Sequence, residues 1–179
     1  MEAERHASSA ALKGVLALAA ALFLAGLPRP ADAFDGDRRG FVLGFGAGPG
    51  LCAGQWGLET DLKIGKGLTD RTVLHYSGKQ IWVVTDGGFF TAGYPSIALT
   101  VFDHPRSPSG YFTVGGGLGI LGAAFGDFGG VAALGPSAFI GFGYEFTPHG
   151  AVELHLGGSL PGEGVLLTNA SLTLNVLGY

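Results

Sequence analysis

Nine ionisable side chains fall at even spacings in three short stretches: Glu59, Asp61 and Lys63; Arg71, His75 and Lys79; then Glu145, Glu153 and His155. Residues two or four apart in an extended chain project from the same face, so each stretch would present its groups together. Two carboxylates held close could divide acid and base roles. Without a cation between them, however, one would have to keep a proton. Glu145 and Glu153 flank a turn expected at residues 147–150 and are expected to face each other, with Arg71 or a lysine between them. Parity alone places Lys63 opposite His75 and Glu59 opposite Lys79.

Other chemistry finds less support. Residues 117–122 match the dinucleotide pattern GxGxxG, but nothing around them reads as a strand-helix-strand unit. His104 and His149 lie in turns with no Cys or Asp partner at metal-ligand spacing. The sequon Asn169-Ala170-Ser171 falls inside an expected strand. No catalytic, cofactor or metal site is therefore expected.

The charged groups sit on segments that alternate. In residues 56–64, Trp56, Leu58, Thr60, Leu62 and Ile64 share one face, while Glu59, Asp61 and Lys63 share the other. The same split divides Ile140, Phe142 and Tyr144 from Gly141, Gly143 and Glu145. It also divides Leu154 and Leu156 from Glu153 and His155, and Leu172 and Leu174 from Ser171 and Thr173. Strands are expected at residues 40–48, 56–64, 71–84, 91–102, 111–121, 138–146, 151–157 and 169–176. Eight strands of this length suit a closed antiparallel barrel whose strands cross a bilayer obliquely. Turns are expected at residues 67–70, 103–110 and 147–150, and loops at the opposite end at 49–54, 85–90, 122–134 and 159–164. Trp56, Tyr76, Trp82, Tyr94, Tyr111 and Tyr144 are candidates for interfacial aromatic girdles.

Composition agrees with an all-β chain. There are 34 glycines, too many for a helical domain, since each interior glycine costs about 1 kcal/mol. The net charge of −4 leaves no basic surplus to collect nucleic acid phosphates. The single cysteine, Cys52, has no partner for an internal disulfide and reads as a small buried apolar residue. Residues 1–33 have the order of a cleaved secretory signal: basic groups at Arg5 and Lys13, an apolar run over 14–27, and Ala31-Asp32-Ala33 as a cleavage site. That run is shorter than the ~20 residues that span hydrocarbon as a helix. The barrel is expected over residues 34–179.

The strand-turn-strand GFGYEFTPHGAVELHL, residues 141–156, and the FTVGGGLG segment before it resemble small OmpA/OmpX-type outer-membrane barrels. The resemblance implies a transmembrane barrel in a bacterial outer membrane, reached behind the signal peptide and in contact with outer-membrane lipid. Its role is expected to be structural or interactive and non-catalytic. Its lumen is expected to be filled by a salt-bridge network of the nine residues named above, and any extracellular ligand would be met by the loops. Tyr179 is similar to the terminal aromatic by which the barrel assembly machinery recognises the last strand. Counting back by twos from Tyr179 puts Leu177 with Asn175 and Thr173, so a bulge near Gly178 is expected.

Two alternatives remain. His155 and Ser159 resemble part of the catalytic set of barrel enzymes that deacylate lipid A, but those place serine two residues after the histidine, where this chain has Gly157. A soluble exported carrier, similar to lipocalins, would turn the apolar face inward.

Overall fold

A computed structural model describes residues 38–85, 88–124, 130–162 and 166–179. The expected signal segment lies outside them. Eight strands follow one another: β1 (Gly40–Cys52), β2 (Gln55–Thr69), β3 (Thr72–Thr85), β4 (Gly88–Phe102), β5 (Ser109–Ala124), β6 (Gly130–Thr147), β7 (Gly150–Ser159) and β8 (Leu167–Gly178). Each pairs antiparallel with the next, and β8 pairs with β1 to close an eight-stranded all-β barrel. Closure removes the unpaired strand edges that an open sheet would carry.

The strands form because polar and apolar residues alternate with a period of two, and closure gives that alternation an inside and an outside. In β2, Glu59, Asp61 and Lys63 are buried while Leu58, Leu62 and Ile64 are exposed. Thirty large apolar side chains among the described residues are exposed, all but Leu160 and Leu166 on strands. The soluble-carrier alternative required the reverse arrangement.

The strands outrun their expected limits, most of all at β5 and β6. These pair without interruption from Ser109↔Glu145 to Ala124↔Gly130, so residues 122–124 and 130–134 of the expected loop belong to strands, and residues 125–129 lie outside the described residues. Glycine and alanine there carry no alternation to read, yet their backbone groups pair as well as any. β1 and β2 are joined by Ala53 and Gly54, both at positive φ (49° and 80°). Such a two-residue turn matches the twist of the strands it joins, and the glycine takes that conformation without a steric penalty.

Three further expectations change. The register of β8 is unbroken against both neighbours, so there is no bulge near Gly178. Leu177 and Tyr179 instead continue the inward row of Thr173 and Asn175 and are buried with it. Bulges occur between Gly67 and Thr69 and between Glu145 and Thr147. Tyr94 and Tyr111 also point inward, whereas Trp56, Tyr76, Trp82 and Tyr144 are exposed as expected for a girdle.

An eight-stranded barrel has room inside only for its own side chains, and glycine makes that room where an aromatic sits opposite. Tyr111 is paired with Gly143, and Phe139 with Gly115. A Cβ on either glycine would overlap the facing ring. Gly143→Leu should therefore destabilise the barrel by about 1–3 kcal/mol, as overpacking does. A lowered urea midpoint for that variant, with Phe142→Leu on the outward face near wild type, is the expected result.

Candidate functional site

The lumen is layered. Toward the end where β1 begins and β8 finishes, here the terminal end, Val42, Val73, Phe102, Tyr111, Leu177 and Tyr179 form one apolar cluster. Toward the opposite end, Cys52, Ile81, Val83, Ala92 and Tyr94 form another, with Phe90 packed against it. Between them lies a charged layer.

Its centre is a cross-lumen ion network. Lys79 Nζ reaches Asp61 Oδ2 at 2.9 Å, Glu153 Oε1 at 3.0 Å and Glu59 Oε1 at 3.7 Å. Lys63 Nζ lies 2.7 Å from Glu153 Oε2 and 3.5 Å from Asp61 Oδ2. Ser77 Oγ donates to Asp61, and Tyr111 Oη donates to Glu153. Glu153 on β7 thus ties both lysines, on β2 and β3, to the far wall. The side chains of Lys79, Glu59, Asp61 and Glu153 have no exposed area. Removing one partner from such a group strands the others, which typically costs about 3–5 kcal/mol.

Three carboxylates meet two ammonium groups here, so a proton kept on one carboxyl leaves the layer uncharged. His155 Nδ1 lies 3.7 Å from Glu59 Oε2. Asn169 Nδ2 also approaches His155 Nδ1, at 3.3 Å. His75 sits apart from the network. Its Nε2 is 3.0 Å from Thr100 Oγ1, and Thr100 in turn bonds Thr113. A cavity of about 20 Å³, measured to the centres of waters, opens beside it among Lys63, His75, Thr100 and Tyr111. That is room for one or two water molecules.

A second ion pair closes the terminal end. Arg38 Nη2 lies 3.0 Å from Glu145 Oε1, and Tyr179 Oη donates to Glu145 Oε2 at 3.1 Å. The same guanidinium stacks 3.8 Å over the Phe102 ring and donates to the carbonyls of Asp70 and His104. Outside, Arg39 pairs with Asp70 at 3.1 Å. Its hydrogen bond holds the Asp70 carboxyl below the usual carboxylate range.

Of the nine residues singled out in the sequence, Glu59, Asp61, Lys63, His75, Lys79, Glu145, Glu153 and His155 are buried in the lumen. Arg71 is not. β2 and β3 are joined by a two-residue turn, Thr69↔Thr72 closing it, and Arg71 is exposed within that turn. The turn also resets the register: Lys63 faces Ser77, and His75 faces Gly65. Glu59 faces Ile81 rather than Lys79. Glu145 and Glu153 do not oppose one another, since Glu145 faces Ala151 and Glu153 faces Gly143. The cation beside Glu145 is Arg38, which the sequence reading missed. Its signal was parity, for Arg38 lies an even number of residues before the inward Val42. The GxGxxG match lies within strand β5, and the next described element is strand β6 rather than a helix that could receive a phosphate.

Lys79→Met should lower stability by about 3–5 kcal/mol in urea titration, because it leaves Glu59, Asp61 and Glu153 short of a cation. Adding Asp61→Leu should recover part of the loss. Additive effects of the two changes would contradict the coupling.

No protein-family profile and no curated protein sequence matches the chain. Solved structures do. Neisserial surface protein A superposes with a TM-score of 0.54 at 13% identity, over 76% of this chain and 95% of that one. The N-terminal β-barrel domain of Pseudomonas aeruginosa OprF gives 0.50 at 17% identity, over 76% and 96%. Ail, the attachment invasion locus protein of Yersinia pestis, gives 0.51 at 12% identity, over 78% and 99%. The fold of this chain is that of the small eight-stranded outer-membrane barrels, of OmpA/OmpX type.

Proposed function

We propose that this chain is a non-catalytic bacterial outer-membrane barrel with a sealed lumen, serving a structural or surface-interaction role. The observation that carries the reading is the inversion of an ordinary core: exposed apolar rows circle the outside while the lysines of the lumen are buried within. In water, so large an apolar surface would drive association. In a bilayer it is solvated by acyl chains, and the closed sheet leaves no open strand edge. The neighbouring folds belong to outer-membrane proteins, and the N-terminal signal pattern agrees with export.

Limited access supports the non-catalytic reading. His155 and Glu59 have no exposed side-chain area. The backbone is paired on both sides of His155, to Gly141 and to Ser171, so no lateral opening beside it admits a lipid. Ser159, the serine of the deacylase alternative, is buried too, and His155 approaches Glu59 and Asn169 instead.

Partner contact would fall to the connections at the end opposite the termini, as is usual for loops on a rigid scaffold. Recognition by the assembly machinery would run through β8. Its outward row there is Leu172, Leu174 and Val176, because Tyr179 is turned inward.

The mature chain should sediment with outer membranes, require detergent for extraction and migrate faster on gels when unboiled. In planar bilayers it should show no steady conductance, since two apolar clusters bracket a compensated charge layer. Recovery in the aqueous periplasm, or stable open-channel currents, would refute the reading.

A further inference from the structure

Charge is distributed unevenly over the outside of the barrel. Lys66 is exposed on the outward face of β2, and among the described residues it is the only charged side chain on the outward face of any strand. Its outward neighbours across the sheet are Phe41 on β1 and Leu74 on β3, both exposed. Among the described strand residues no acidic group shares that face, because Glu59, Asp61, Glu145 and Glu153 all point into the lumen. Among the described residues, Lys66 has no ion pair.

Two more cations lie at the same end. Arg71 is exposed in the turn three residues beyond Leu68. Arg106 lies in the 103–108 connection, and Arg38 ties that connection to the β2–β3 turn by donating to the carbonyls of Asp70 and His104. Among the described residues, the acids nearby are Asp70, which meets Arg39, and the exposed Asp103, whose Oδ2 is 3.4 Å from His104 Nδ1. The connections at the opposite end, residues 53–54, 86–87, 125–129 and 160–166, contain no Lys or Arg at all.

We propose that Lys66, Arg71 and Arg106 form a docking surface for anionic phospholipid head groups in the leaflet at the terminal end of the barrel. The inference rests on the membrane reading above and deepens it by naming the lipid. A lysine set between Phe41 and Leu74 keeps its stem along hydrocarbon and its ammonium at the boundary. The counter-charge available at that depth is a lipid phosphate rather than a dissolved anion. The arrangement also orients the barrel, because basic groups near a membrane surface are drawn to the leaflet rich in anionic phospholipid.

The test is native mass spectrometry of the detergent-released barrel, wild type and the triple variant Lys66→Gln, Arg71→Gln, Arg106→Gln, with equimolar phosphatidylglycerol and phosphatidylcholine. Heat-modifiable migration is checked first in both. Wild type should retain phosphatidylglycerol over phosphatidylcholine, with the preference falling about fivefold for each cation removed. Equal retention of the two lipids, or a preference that the triple variant keeps, would overturn the proposal while leaving the membrane barrel standing. Displacement of the lipid by millimolar glycerol phosphate would overturn it too, since a free anion would then suffice. A wild-type chain that is soluble without detergent and not heat-modifiable would overturn both readings.

Discussion

A charge that cannot reach water must be met by another, and in this barrel that requirement reaches across the lumen. Lys79 and Lys63 come from adjacent strands, yet each needs Glu153 from the far wall. The network is satisfied only when β7 has been carried round to face β2 and β3. Pairing of neighbours alone could stop at an open sheet. The buried lysines favour the closed state, because the 2.7 Å contact of Lys63 and the 3.0 Å contact of Lys79 with Glu153 form only once β7 faces them.

The same constraint explains why the ends are apolar. Ion pairs strengthen as water is excluded, and the clusters around Phe102 and Ile81 exclude it from either side. Arg38 and Glu145 repeat the device at the terminal end, where one guanidinium also holds two turns by their carbonyls. The glycines opposite Tyr111 and Phe139 make space for the rings that line this interior. Tyr111 then spends its hydroxyl on Glu153, so packing and charge compensation meet in one side chain.

Much of the fold was legible because alternation is a local property. Residues 56–64 declare their inward charges without any knowledge of β3 or β7. What was not legible depended on register. A turn placed two residues early moved Lys63 from Ser77 to His75, and it counted Arg71 as lumen-facing when it belongs to the turn itself. Partners across the lumen, such as Lys63 with Glu153, follow from strand tilt and closure and have no sequence signature. Arg38 escaped notice because it precedes its strand, although its parity matched. The run around Gly122 was read as loop because glycine and alanine conceal which way a strand faces. The bulge expected near Gly178 rests on analogy with a terminal aromatic, whereas the parity of Tyr179 with Thr173 and Asn175 already places it inside.

The central claim is that the outward rows touch acyl chains, and the chain's two tryptophans report on it directly. Trp56 and Trp82 are 72% and 41% exposed on the outward face of β2 and β3. In vesicles containing lipids brominated along the acyl chain, the folded barrel should show blue-shifted emission that the bromines quench, more strongly when they lie near the head group than at the bilayer centre. Emission indifferent to brominated lipid but fully quenched by aqueous acrylamide would mean that these rows face water or another protein surface.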